Sequence, residues 1–220
     1  FGRSLWLAVL TTLLTLLIGY PFAYFTAGLP AKKRSLALML VIVPFWTNSL
    51  VRIYGWMILL RGQGVVNSLL AALGLIDAPL KLLYNFGAVL VGMVYALIPF
   101  MILSVYNAVA KLDPALIEAA RDLGAGRWRA FWTITVPMTR AGIMAGCVLV
   151  FIPSIGLFFI SDLLGGSKTM LLGNLIRDEL LTARNWPLGA ALSVVMMAAT
   201  LLVIGGYRRL SGEKSLEGIV

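Results

Sequence analysis

With 60% hydrophobic and only 12% charged residues over 220 positions, and a mean hydropathy of +0.96, the chain is too apolar for a water-soluble domain and reads as an integral membrane protein, since soluble domains carry about 25% charged residues. It has no histidine and one cysteine, Cys147, which excludes imidazole acid–base or metal chemistry and any internal disulfide. The net charge of +9 comes from Lys and Arg that flank apolar runs rather than form a patch; it sets membrane topology and does not point to nucleic acid.

The chain begins with Phe1, and no charged leader with a cleavage site precedes the first apolar run, so further sequence is expected on its N-terminal side. A membrane-spanning helix needs about 20 apolar residues. Five stretches meet that length: 5–27, 36–60, 86–110, 141–160 and 188–207. Lys32, Lys33 and Arg34 follow the first, Lys111, Arg121, Arg127, Arg129 and Arg140 lie between the third and fourth, and Arg208, Arg209 and Lys214 follow the last. These three regions lie on one side of the membrane, and the excess of positive charge makes that side the cytoplasm. Lys81 and Lys168 are then external.

Each of the first four stretches contains a proline, Pro21, Pro44, Pro99 and Pro153, which removes a backbone hydrogen bond and tends to kink a helix. Kinked helices suit a gated pathway, although proline is also common in membrane helices. In the second stretch Asn48, Ser49 and Arg52 fall three and four residues apart and are predicted to share one helix face. A charge at that depth is costly, so Arg52 should face the bundle interior, a pathway or a carboxylate, or snorkel outward. Two external connections are long. Within 62–85 the amphipathic run 65–75 predicts a short surface helix; within 161–187 a turn at Gly165-Gly166-Ser167 precedes the partly apolar run 170–181. Both are long enough to form a docking surface. Asp162 is the one acidic residue of the run 151–166, either a solvated or capping residue or a carboxylate on a pathway. Gly142 and Gly146 have the spacing of a helix-packing pair. No inverted repeat is visible.

The polar island at 113–137 carries the strongest local signals. Asp113 suits an N-cap, Pro114 the first helical position and Gly124 a left-handed C-terminus. Between them Leu116, Ala119, Ala120 and Leu123 form a narrow apolar face with small residues at its centre. A second amphipathic piece places Trp128, Phe131 and Trp132 on one side, with Arg127 and Arg129 near its start and Pro137 expected to break the run.

The sequence Glu118-Ala119-Ala120, three residues, Gly124, nine residues and Ile134-Thr135-Val136-Pro137 resembles the EAA loop of the membrane permease subunits of bacterial ATP-binding-cassette (ABC) importers, with Val136 where that pattern usually has Leu. The resemblance implies an all-α integral membrane fold of the type I ABC importer permease, with five transmembrane helices in this chain and one N-terminal helix missing before Phe1. It implies a single permease domain over 1–220, with a cytoplasmic coupling loop at 111–140. Glu118, Ala119, Ala120, Gly124, Ile134 and Pro137 would be the ATPase-coupling residues.

The runs 42–56 and 151–166, together with Asn185-Trp186-Pro187-Leu188-Gly189-Ala190-Ala191, narrow the resemblance to the first permease of spermidine/putrescine importers. That group implies a multi-pass protein of the bacterial inner membrane, surrounded by lipid, that pairs with a second homologous permease, binds a cytoplasmic ATPase dimer and receives polyamine from a periplasmic substrate-binding protein. This chain has no Gly-rich phosphate loop, so it is expected to be no enzyme and to bind no cofactor, with ATP-Mg at the partner ATPase. A polycation can be held by aromatic faces and carboxylates; Asp162, Trp46, Tyr54, Tyr95 and Phe100 are the candidate pathway residues, while Trp56 reads better as an interfacial anchor. Arg52 opposes a cationic substrate unless neutralised. Importers of other small solutes, including iron and thiamine, share the broader loop pattern. A secondary transporter or channel would need mid-membrane carboxylates, and a membrane enzyme a polar cluster at one face; neither is evident.

Overall fold

The computed structural model describes residues 2–166 and 169–211, with side chains described as far as residue 206. Phe1, Ser167, Lys168 and Lys214, and the side chains of Arg208 and Arg209, lie outside the described residues. Three long helices form the core: α1 (Gly2–Ala27), α5 (Phe86–Ala110) and α8 (Val136–Gly156). Leu7, Val89, Met93, Met101, Val105 and Val150 are completely buried between them.

Small residues allow these helices to approach closely, since lipid tails give apolar side chains little reason to leave them. A β-carbon on Gly142 would come 2.4 Å from the Ala108 β-carbon and 2.9 Å from the Ser104 carbonyl oxygen; one on Gly146 would come 2.7 Å from Met101 Sδ. The Ser104 hydroxyl donates to the Gly142 carbonyl at 2.9 Å, so the predicted glycine pair is the α5–α8 contact.

Among the described residues, four helical stretches are long and apolar enough to cross a membrane: Gly2–Ala27, Phe86–Ala110, Arg127–Gly156 and Trp186–Gly206. The predicted second span, 36–60, is instead broken into α2 (Ala31–Phe45) and α3 (Ser49–Leu59), bent by 91°. Pro44 weakens the end of α2, Thr47 donates its hydroxyl to the Pro44 carbonyl at 2.7 Å, and the Asn48 side chain accepts from the Leu50 N–H at 2.8 Å and caps α3. Asn48 therefore starts a new helix instead of lying inside a continuous span, because its short polar side chain competes for backbone partners; its carbonyl accepts from the Arg52 N–H at 3.2 Å, so Asn48, Ser49 and Arg52 share the first turn of α3. Pro21 and Pro99, by contrast, lie within unbroken helices.

Beyond α3, α4 (Val65–Ala72) is shorter than the expected 65–75 and is followed by Gly74 at φ +68°. The buried Asn67 holds this connection, donating to the carbonyls of Arg61 and Leu80 and accepting from the Leu80 N–H. Past α5 the polar island forms α6 (Pro114–Asp122) and α7 (Arg127–Ala130), which leads through a π-helical turn at Phe131–Thr135 into α8. Pro137 does not break this run. It sits in the first turn of α8; the wider π turn just before it accommodates the carbonyl that the proline ring would crowd and the hydrogen bond it cannot make.

The fourth span thus starts earlier than the expected 141–160 and ends at Gly156, where Leu157 (ψ 66°) interrupts the helix. A short α9 (Phe158–Ile160) and a π turn at Ser161–Gly165 follow. The connection to the last helix then forms α10 (Leu172–Arg177) and a π turn at Asp178–Thr182 before α11 (Trp186–Ser211). The Leu172 N–H donates to the Ser4 hydroxyl at 2.8 Å, joining this connection to the N-terminal end of α1. All α2 side chains remain at least partly exposed, and only 6% of the α11 span is buried, which leaves both helices on the perimeter of this chain.

Candidate functional site

Two regions carry the residues singled out from the sequence. In the polar island, Asp113 Oδ1 accepts from the Ala115 N–H at 2.9 Å and Pro114 opens α6. The helix closes where the Leu123 N–H reaches the Ala119 carbonyl, the Ala125 N–H reaches the Ala120 carbonyl, and Gly124 takes φ +85°; only glycine adopts that conformation without strain. Capping at both ends lets nine residues stand as a helix against little else. Its apolar stripe is open: Leu123 is 90% and Leu116 41% exposed, and Glu118 and Ala119 also face outward. Ala120 is half-buried. Ile134 lies within the π turn, and Pro137 is exposed at the root of α8. A short helix that offers small and apolar residues without covering them can seat in a groove of another protein.

In the second region, the elbow between α2 and α3 rests against α5 through aromatic rings. Phe45 meets Phe100 at 5.2 Å between centroids, and Trp56 meets Tyr95 at 5.5 Å, both edge-on. The Arg52 guanidinium lies 4.9 Å from the Phe45 centroid and 5.8 Å from that of Tyr95. Its Nε is buried without a hydrogen-bond partner among the described residues. Tyr95 and Phe100 therefore join one aromatic cluster, whereas Trp46 (79% exposed) and Tyr54 (48% exposed) point outward from the chain.

Asp162 is paired with Arg177 and not with Arg52. Its Oδ2 accepts from Arg177 Nη1 and its Oδ1 from Asn174 Nδ2. Arg177 also donates from Nη2 and Nε to Asp178 Oδ1, at 2.7 and 3.0 Å, and its guanidinium lies 5.4 Å from the Phe158 centroid. Two carboxylates and one ring face thus hold a single guanidinium, about one-third exposed. Alongside, an apolar cavity of about 570 Å³ opens between α10 and α11, lined by Phe158, Arg177, Leu180, Ser193 and Met196 among others. Sequence reasoning missed Arg177; the available signal was its position as the sole cation of the run 170–181, one turn after Asn174.

The model of the family described as "Binding-protein-dependent transport system inner membrane component" matches residues 5–213. The chain is 49% identical over 215 residues to the spermidine/putrescine transport system permease protein PotB of Escherichia coli (strain K12), covering 96% of this chain and 78% of that protein. It is 47% identical over 207 residues to the PotB protein of Haemophilus influenzae (strain ATCC 51907 / DSM 11121 / KW20 / Rd), covering 94% and 72%. Among solved structures, a chain of a bacterial ABC transporter involved in the import of the acidic polysaccharide alginate superposes with a TM-score of 0.75 at 21% identity, over 96% of this chain and 80% of that one. That likeness shows the fold. With a coupling-loop pattern on a short capped helix, multiple spans and these matches, the chain belongs to the binding-protein-dependent transport system inner membrane components, as an ABC permease subunit that serves translocation and is not an enzyme.

Proposed function

We propose that this permease passes polyamines of the spermidine/putrescine class into the cell, driven by ATP hydrolysis on a separate cytoplasmic ATPase dimer and supplied by an external binding protein. The observation that carries the reading is the 49% identity, over nearly the whole chain, to permeases of spermidine/putrescine transport systems. The open apolar stripe of α6 supports the ATPase as partner, with Glu118, Ala119, Ala120 and Gly124 at the contact and Ile134 and Pro137 joining it to α8. The perimeter positions of α2 and α11 support pairing with a second homologous permease. No cofactor is assigned to this chain; ATP-Mg belongs to the ATPase.

For the substrate, the aromatic faces of Tyr95 and Phe100 and the Asp162 carboxylate are the assigned contacts, with Trp46 and Tyr54 on surfaces that a second permease would cover. Asp162 meets an incoming ammonium only in exchange for Arg177, so substrate entry and release of that arginine are one event. The test is uptake of radiolabelled spermidine and putrescine into proteoliposomes that contain this chain, the second permease and the ATPase, with binding protein added outside. Uptake that needs both ATP and binding protein is expected. Uptake of neither polyamine, while another binding-protein substrate is imported, would overturn the polyamine assignment; uptake without ATP would overturn the importer reading.

A further inference from the structure

We infer that Phe131 is the positioning residue that carries movement of the coupling loop into α1, and that the π turn holding it is the element that changes register. The inference rests on the coupling-loop reading above. Phe131 stands at the centre of four other rings. It meets Tyr20 at 5.7 Å, Tyr24 at 5.6 Å, Trp128 at 6.3 Å and Trp132 at 5.3 Å, each edge-on. Trp128 and Trp132 are largely exposed, whereas Tyr20 is buried against the core. One ring therefore joins the cytoplasmic segment next to α6 to the buried face of α1.

A second contact lies eight residues further on. The Thr139 hydroxyl donates to the Thr135 carbonyl at 2.7 Å and lies 3.0 Å from the Tyr20 hydroxyl. With the Thr139 proton committed to Thr135, Tyr20 is the donor in that bond. Tyr20 of α1 thus touches both Phe131 at the start of the π turn and Thr139 just beyond its end.

In a regular α-helix, residues eight apart are rotated by about 80°. A π turn absorbs about one extra residue and reduces the offset to roughly 20°, so Phe131 and Thr139 both face α1 because the turn is π and not α. Conversion of the turn to α geometry would rotate the segment before it by about 100° relative to α8 and move Phe131 off Tyr20 and Tyr24. A helix register offers two discrete arrangements rather than a continuous range, as a switching element requires. An ATPase that moves α6 biases this equilibrium through α7, and Phe131 transmits the outcome to α1.

The test measures ATP hydrolysis and spermidine uptake together in the complete reconstituted complex. Phe131→Leu keeps the apolar volume and removes the edge-on ring contacts. It should copurify with the ATPase at the wild-type level, yet lower spermidine imported per ATP at least fivefold, and Phe131→Tyr should restore the ratio. Thr139→Val is the second probe, since it removes the hydroxyl with little change in shape; its ratio should fall at least twofold. A wild-type ratio in Phe131→Leu, or a loss that Phe131→Tyr does not restore, would overturn the role of Phe131, and an unchanged ratio in Thr139→Val would overturn the register role. Absence of ATP-driven uptake in the unaltered complex would instead overturn the functional reading on which both depend.

Discussion

Arg177 binds Asp162 and Asp178 at once, so the carboxylate that stands out in the sequence is already occupied by a cation fifteen residues along the chain. Both ends of the pair are about one-third exposed, and exposed ion pairs contribute only about 0.2–1 kcal/mol. Asp162→Asn is therefore expected to reach wild-type abundance in the membrane and to assemble with its partners. Uptake is where the loss should show, because the neutral side chain can no longer exchange Arg177 for an ammonium: the rate at low spermidine should fall about tenfold, corresponding to roughly 1.4 kcal/mol. Added Arg52→Gln should leave assembly as it is, since Asp162 is held by Arg177 and Asn174 and not by Arg52. Assembly lost in Asp162→Asn and regained on adding Arg177→Gln would mark the pair as structural; normal uptake with normal assembly would remove Asp162 from the pathway.

The parts of this molecule that sequence reasoning reached are those whose signals are local. Asp113, Pro114 and Gly124 each constrain the backbone at their own position, so α6 could be bounded to within two residues. The α2–α3 elbow was not reachable in the same way. A proline occurs in each of the first four apolar stretches, yet Pro21 and Pro99 lie in continuous helices; what ends α2 is a proline followed by two residues whose side chains take over backbone hydrogen bonds. The π turn at Phe131–Thr135 has no composition of its own and reconciles Pro137 with contacts that α1 supplies. Asp162 was visible as a lone acid, but its partner depends on how α10 folds back, which spacing along the chain does not encode.

The exposed stripe of α6 gives a test that leaves the membrane fold alone. Ala120 is half-buried and Ala119 exposed, so an indole at position 120 fills space that a docked surface needs. Ala120→Trp should retain membrane abundance while copurification with the ATPase falls at least tenfold. Wild-type copurification would show that α6 is not the docking element.

Gly142 tests the packing of the core. Its missing β-carbon would stand 2.4 Å from Ala108 and 2.9 Å from the backbone of Ser104, and backbone cannot swing aside as a flexible side chain can. Gly142→Val should push α8 from α5 and cost about 1–3 kcal/mol, the usual range for overpacking. Gly146→Ala faces Met101 Sδ, which can move, and should cost less. Thermal melting of the detergent-solubilised complex should rank wild type above Gly146→Ala and Gly146→Ala above Gly142→Val; equal melting temperatures would refute the contact.

Arg52 reaches from α3 back over Phe45, the last residue of α2, and onto Tyr95 of α5, so the elbow is held by a cation between two rings. On the proposed pathway the same rings are the faces that an ammonium substrate would use, and the guanidinium would then compete with the cargo for Tyr95. Cation–π contacts of this kind contribute about 0.5–1 kcal/mol where partly exposed, which corresponds to roughly a twofold to fivefold change in binding. Arg52→Met keeps much of the unbranched stem and removes the charge. It should lower the spermidine concentration for half-maximal uptake by that factor without changing abundance, whereas Arg52→Lys, which keeps the charge, should leave it near the wild-type value. Uptake measured across a spermidine titration for both variants decides the matter: an unchanged half-maximal concentration in Arg52→Met would place Tyr95 outside the substrate path and leave Arg52 as a fastening of the elbow alone.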